Sequence, residues 1–320
     1  MALSESSGIN DPNGWSLSSL KCSARVLSLG AMLQDVVFQT GTHGAFRPFA
    51  QASWAANSSA GQPNHLTQLG GEWPCVPFGT SVADPEHHGF SSNAPWRCVD
   101  RGESHITLEI DYPEDHAVRR LTRTIRLSET VAVIDVTLTV EVRRPCNLPI
   151  GLHPIFRLPE DGDVVLNVSG AQNWAAIPDP FRPEGAQVVG QGGTLKLETG
   201  ERFDFPTQFA DQKAELVQAF DLDGEISISY PSEQVRVGLS WDAQALPHCL
   251  FWLANPHAFP ALGPFRGLGI EPVASWFDRG TRPLDAQGAQ AKGAFGVALT
   301  SDEPWTLEYQ IRAEPLGQKE

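Results

Sequence analysis

Apolar and polar positions alternate with a period of two along much of the chain. Ile106, Leu108 and Ile110 alternate with Thr107 and Glu109, and Ile134, Val136, Leu138, Val140 and Val142 alternate with Asp135, Thr137, Thr139 and Glu141. Successive side chains of a strand point to opposite faces, so these stretches read as strands with one face buried. Further faces are Ile226, Ile228 and Tyr230; Val235, Val237, Leu239 and Trp241; and Trp305, Leu307, Tyr309 and Ile311. Pro231-Ser232-Glu233 between the first two of these reads as a hairpin turn. The 29 glycines and 25 prolines interrupt nearly every window long enough for a helix, so only short helices are expected. The pattern predicts an all-β chain without a fixed-period repeat. Residues 1–18 read as a flexible tail. The stretch 170–223, poor in alternation and rich in Gly, Pro and Gln, reads as an irregular excursion.

Composition narrows the classes of function. With 41% hydrophobic and 19% charged residues, the chain has the make-up of an ordinary soluble globular protein. Its formal net charge of −15, and the absence of any Lys/Arg run longer than two, argue against nucleic acid or a membrane surface as partner. A neutral polar small molecule fits better. Five scattered cysteines with no Cys-x-x-Cys pair predict neither a disulfide framework nor a zinc site, and point to a reducing cytoplasm. Neither an export signal nor a membrane-spanning run is expected.

Three short segments far apart in sequence each set a proton-handling side chain among apolar or rigid neighbours. They are His88-Gly89-Phe90, Gly151-Leu152-His153-Pro154-Ile155-Phe156 and Gly269-Ile270-Glu271-Pro272. An imidazole titrates near neutrality and a carboxylate can be tuned toward it, so the set suits two-ended acid/base chemistry. Each residue also has a structural reading. His153 would be a core histidine bonded to a carbonyl, His88 a surface loop histidine beside His87, and Glu271 a salt-bridged carboxylate paired with Arg266 or Arg279. Nine tryptophans offer faces on which a sugar ring stacks. Trp96 and Trp276, with Trp73, are the candidate platforms.

In this order and spacing the segments resemble the aldose 1-epimerase (galactose mutarotase) family over roughly residues 26–312. The set comprises His88-Gly89-Phe90 followed by Trp96, Gly-Leu-His-Pro-x-Phe at 151–156, a Trp-x-x-Asn segment ending at Asn255, and Ile270-Glu271-Pro272. The resemblance implies a large antiparallel β-sandwich of the galactose mutarotase type, as a single domain over 19–315. It implies an isomerase that interconverts the α and β anomers of a free aldose, with His153 as general acid on the ring oxygen. Glu271 would be the general base on the anomeric hydroxyl, and His88 would hydrogen-bond beside them. It implies a carbohydrate substrate, a monomer or homodimer, and a reaction that needs no metal or other cofactor. Asp221 and Asp223 are the candidates, by position, for the aspartate that binds a sugar hydroxyl, and Asp223 is taken forward. Alternatives are a non-catalytic sugar-binding protein and a hexose-6-phosphate 1-epimerase; a lyase or glycosidase fits the set less well. Two departures concern specificity. The segment Leu69-Gly70-Gly71-Glu72-Trp73-Pro74 lacks the arginine that family members often carry there, and Ser92 stands where the sugar-phosphate branch usually has one.

Overall fold

A computed structural model describes residues 13–40, 44–54, 64–159, 164–170, 173–176, 188–190, 194–197, 202–204, 215–254, 263–280 and 291–317. Every alternating stretch named above is a strand. Val165–Val168, Glu225–Tyr230, Val235–Trp241, Trp305–Pro315, Val133–Val142, Val118–Leu127, His105–Asp111 and Arg97–Arg101 form one antiparallel sheet of eight strands in that spatial order. The turn at Pro231–Glu233 joins two of its strands, with Tyr230 opposite Val235.

A second, ten-stranded sheet runs in the order Arg202–Asp204, Thr194–Leu197, Val188–Gly190, Asn173–Ala176, Glu215–Phe220, His248–Ala254, Gly267–Ala274, Ile150–Leu152 and Pro74–Cys75, and Ile155–Phe156 also pairs with Gly267–Ala274. One hydrophobic cluster joins the two sheets. Ile134, Val136 and Leu138 of the first share it with Val217, Phe251, Leu253, Leu268 and Ile270 of the second, which makes the architecture a sandwich closed by burial of apolar surface. A four-stranded antiparallel sheet, Gly14–Ser18, Cys22–Leu27, Leu33–Gln39 and Ala45–Phe46, adds Leu17, Val26 and Phe38 to that cluster. The α-helices among the described residues are short, Asn64–Thr67 and Gly89–Asn93. No helix among them is long and apolar enough to cross a membrane.

Two expectations are corrected. Gly14–Ser18, assigned to a flexible tail, pairs in register with Cys22–Leu27 and buries Leu17. Its alternation was too short to stand out. The stretch 170–223 is not purely an excursion, because five of its segments are strands that extend the ten-stranded sheet.

The second sheet has a property that matters for function. His248–Ala254 and Gly267–Ala274 are buried at every position. Alternate residues of these strands face the sandwich core, while Leu250, Trp252 and Val273 belong to a second apolar cluster with Leu216, Phe220, Trp73 and Phe78. Both faces are therefore covered.

Candidate active site

The register of the ten-stranded sheet builds the site. Gly151 pairs with Val273 and Ile155 with Gly269, so His153, midway between them, comes opposite Glu271. Gly151 pairs with Cys75 and Leu152 with Pro74, so on its other side His153 comes opposite Trp73, and its N–H donates to the Trp73 carbonyl at 2.8 Å. Glu271 in turn pairs with Leu250, and Leu250 with Gln218. Trp73, His153, Glu271, Leu250 and Gln218 thus form one row across the sheet. Side chains directly opposite on adjacent strands are near neighbours, which puts the imidazole beside the carboxylate.

The contacts follow from that row. His153 stacks on the Trp73 indole with ring centroids 4.1 Å apart and planes 11° from parallel. Its Nδ1 lies 3.6 Å from Glu271 Oε1, and neither atom has a hydrogen-bond partner although both are buried. An orphaned buried polar atom costs about 1–3 kcal/mol, and such groups gather where a ligand supplies the missing partner. Glycines open the space. A Cβ at Gly269 would meet Glu271 Oε1, and one at Gly151 would meet the Phe78 ring.

His88 arrives from outside the sheet. The short helix that follows it is held by Asp84, whose Oδ2 accepts the Phe90 N–H at 2.7 Å, and Ser92 Oγ donates to the His88 carbonyl at 2.7 Å. His88 has φ 61°, and its Nδ1 accepts the Gly79 N–H at 3.1 Å, so its proton sits on Nε2. The His88 ring meets His153 edge-on, centroids 4.9 Å apart at 84°. Two more imidazoles stand close by. His87 lies 4.0 Å from His88 ring to ring, and His65 lies 5.2 Å from it. Asn93 anchors His65 through Oδ1, which takes the His65 N–H at 3.1 Å and Nδ1 at 2.9 Å.

These residues face a cavity of about 670 Å³, lined by His65, His87, His88, His153, Glu271 and Trp252, with Leu66, Leu69, Leu216 and Leu250 as its apolar wall and Thr80, Asp278 and Arg279 on a further side. That volume is ample for a monosaccharide. Burial dominates the electrostatics. It holds His153 and His88 well below the ordinary imidazole range, with neighbouring imidazoles adding to the effect. His65 falls to about 4 for the same first cause, the Asn93 bond opposing it. Glu271 is pushed well above the carboxylate range by burial, and further by the charge of Asp278. Burial therefore favours the uncharged forms of the imidazoles and of the Glu271 carboxyl. That arrangement donates and accepts protons without a net charge.

Of the residues singled out from sequence, His88, His153 and Glu271 converge here, and Trp73 supports His153 from beneath. The others go elsewhere. Trp96 is a core residue whose Nε1–H donates to the Ser91 carbonyl. Trp276 stacks on Phe220 and is not among the lining residues, and Asp223 is exposed beside Gly170. Asp221 accepts the backbone N–H groups of Lys292 and Gly293. Asn255 lies outside the described residues. Trp252 is the tryptophan that lines the cavity. His65, His87, Thr80, Asp278 and Arg279 were not singled out as site residues; the doubling of His87 with His88, and the closeness of Asp278 and Arg279 to Glu271 in sequence, were the available signals. Arg279, offered as a partner for Glu271, instead lies 3.9 Å from Asp278.

No protein-family model matches the sequence, and no curated protein matches it. Solved structures do match. A galactose mutarotase-like protein from Lactobacillus casei superposes with a TM-score of 0.60 at 15% identity, over 94% of this chain and 100% of that one. A GalM/aldose epimerase homologue from C. elegans gives 0.63 at 9% identity, over 95% and 99%. A protein from Synechocystis gives 0.66 at 11% identity, over 98% and 100%. The chain has the galactose mutarotase-like fold. The expected sandwich type is therefore correct, and the cavity lies on the outer face of the ten-stranded sheet of that fold.

Proposed function

We propose that this protein is an aldose 1-epimerase that interconverts the anomers of a free aldose. The observation that carries the reading is the His153 and Glu271 pair, side by side on one cavity wall with unpartnered nitrogen and oxygen 3.6 Å apart. The ring oxygen and the anomeric hydroxyl of a pyranose are bonded to the same carbon, so the groups that serve them must also be adjacent. In the forward step His153 protonates the ring oxygen while Glu271 takes the anomeric hydroxyl proton. The bond from C1 to the ring oxygen breaks and an aldehyde forms. Rotation about C1–C2 presents the other carbonyl face, and reclosure returns both protons.

One proton held between His153 and Glu271 is enough for this cycle. The neutral pair and the imidazolium–carboxylate pair carry the same total charge, so substrate oxygens that hydrogen-bond to the site select between them without a proton from solvent. His88, with its proton on Nε2, supplies a donor beside the ring oxygen. The free sugar is favoured over its phosphate by two observations. Ser92 is buried and directed to the His88 carbonyl, and among the described lining residues the Lys/Arg cation is Arg279, beside Asp278.

Polarimetry on freshly dissolved α-anomers tests the reading. Rotation should relax faster than in buffer in proportion to enzyme. Rates equal to buffer across the common aldoses, with sugars nonetheless bound, would make this a sugar-binding protein instead.

A further inference from the structure

Among the described residues, three orphaned buried polar atoms belong to groups that line the cavity. Two are the His153 nitrogen and Glu271 oxygen already described; the third is Asp278 Oδ1. Neither proposed proton transfer passes through this atom. The Arg279 Nε group stands 3.9 Å away, near enough for charge attraction and too far for a hydrogen bond.

Asp278 is also held with care. It lies on the turn that follows the Gly267–Ala274 strand, and Gln218 clamps that turn from the sheet, donating from Nε2 to the Ser275 carbonyl at 2.7 Å and accepting the Phe277 N–H on Oε1 at 2.6 Å. Ser275 Oγ closes the loop by donating to the Phe277 carbonyl at 2.5 Å. The Asp278 carbonyl takes the Thr80 N–H at 2.6 Å, and its backbone lies so near Gly79 that a Cβ there would meet it at 2.1 Å. Gln218 belongs to the same sheet row as Glu271, so the turn and the proton-transferring pair share one rigid frame. A carboxylate oxygen that is buried, unpartnered and fixed in the cavity wall by such a frame is preorganised to bind a ligand.

We propose that Asp278, with Arg279 beside it, reads two neighbouring hydroxyls of an uncharged sugar. A carboxylate only accepts hydrogen bonds and a guanidinium only donates them, so adjacent hydroxyls, one donating and one accepting, match the pair. A phosphate drawn to Arg279 would instead face the Asp278 carboxylate. The inference rests on the aldose reading above and deepens it, by naming a residue that sets specificity and a substrate class that excludes sugar phosphates.

The test is a cycle between enzyme and substrate. Mutarotation is measured for a free aldose, for its singly deoxygenated analogues and for its 6-phosphate, with the wild type, Asp278→Asn and Asp278→Ser. For the wild type, removal of one particular hydroxyl should lower kcat/KM roughly 10- to 100-fold. The same removal should cost less in Asp278→Asn, whose amide oxygen still accepts a hydrogen bond, and about twofold or less in Asp278→Ser, whose shorter side chain withdraws the acceptor. The phosphate should be the poorer substrate. Deoxygenation penalties that are the same in wild type and both variants, or a wild type that prefers the phosphate, would overturn the proposal. If the wild type catalyses no mutarotation, the aldose reading fails on its own. The same cycle read by NMR titration of binding then still decides whether Asp278 recognises a hydroxyl.

Discussion

A Cβ placed on Gly269 would stand 2.2 Å from Oε1 of Glu271, so the glycine two positions before the carboxylate, on the same strand face, is what gives it room. Trp252, the cross-strand partner of Gly269, closes the far side, its Cβ 3.2 Å from that same point. Gly269→Ala is expected to displace the carboxylate and lower kcat about 100-fold, the cost of a misplacement near 1 Å. Circular dichroism should remain that of the native sandwich. Activity within threefold of wild type would show that Oε1 does not need its present position.

Replacement of either member of the pair should separate activity from stability. Glu271→Gln and His153→Gln are each expected to lower catalysed mutarotation by roughly 100- to 10,000-fold, the usual worth of a positioned acid or base. Glu271→Gln should leave the thermal midpoint unchanged or raise it, because a buried carboxyl without a partner gives way to an amide that never ionises. Calorimetry beside polarimetry checks both halves. A variant that lost activity only by unfolding would remove the argument for a catalytic role.

The pH dependence follows from burial. Burial holds His153 well below its ordinary value of 6.5 and Glu271 well above its ordinary 4.5, which favours the neutral pair with its single proton on Glu271. At low pH the pair takes up a second proton, and at high pH it loses its last. A plot of kcat/KM against pH should fall on both sides of a plateau. Asp278 raises the Glu271 value, so Asp278→Asn should move the alkaline limb to lower pH. A narrow bell confined between 4.5 and 6.5, the ordinary values, would contradict this picture.

A buried ion pair ties the eight-stranded sheet to the segment that leads into Pro74–Cys75. Arg123 and Glu72 are both fully buried and in direct contact, Tyr309 donates to Glu72 Oε1 at 2.7 Å, and Arg123 donates to the Tyr309 oxygen at 2.8 Å. Removing one member strands a charge in the core, so Glu72→Ala should cost about 3–5 kcal/mol in urea unfolding. Tyr309→Phe leaves the ion pair intact and should cost about 1 kcal/mol. Glu72 directly precedes Trp73, the indole under His153, so in Tyr309→Phe the loss should appear in kcat more than in KM. Equal destabilisation by the two substitutions would show that the three groups do not act as a charge network.

The eight-stranded sheet was legible in the chain because its outer face meets water. Thr137 and Glu141 mark every second position of one strand, and Thr107 and Glu109 do so in another, leaving a clean period of two. The strand that carries Glu271 has no such mark. Gly267–Ala274 is buried on both faces, one against the sandwich core and one beneath the cavity wall, and a strand covered twice loses its alternation. The aromatic residues were ambiguous for a related reason: Trp96, Trp252 and Trp276 are all apolar and bulky, and only their packing separates a core filler from a cavity wall.

The sequence by itself determined the all-β class, the positions of the regular strands, and the identity of His88, His153 and Glu271 as groups able to move protons. These are properties of single segments and single side chains. The tertiary structure decided that His153 comes opposite Glu271, that Trp73 lies under one and Gly269 beside the other, and that Asp278 rather than Asp223 reaches the cavity. Those relationships depend on the register between strands distant in the chain. Register is set by which faces pack together, a quantity that no local pattern contains.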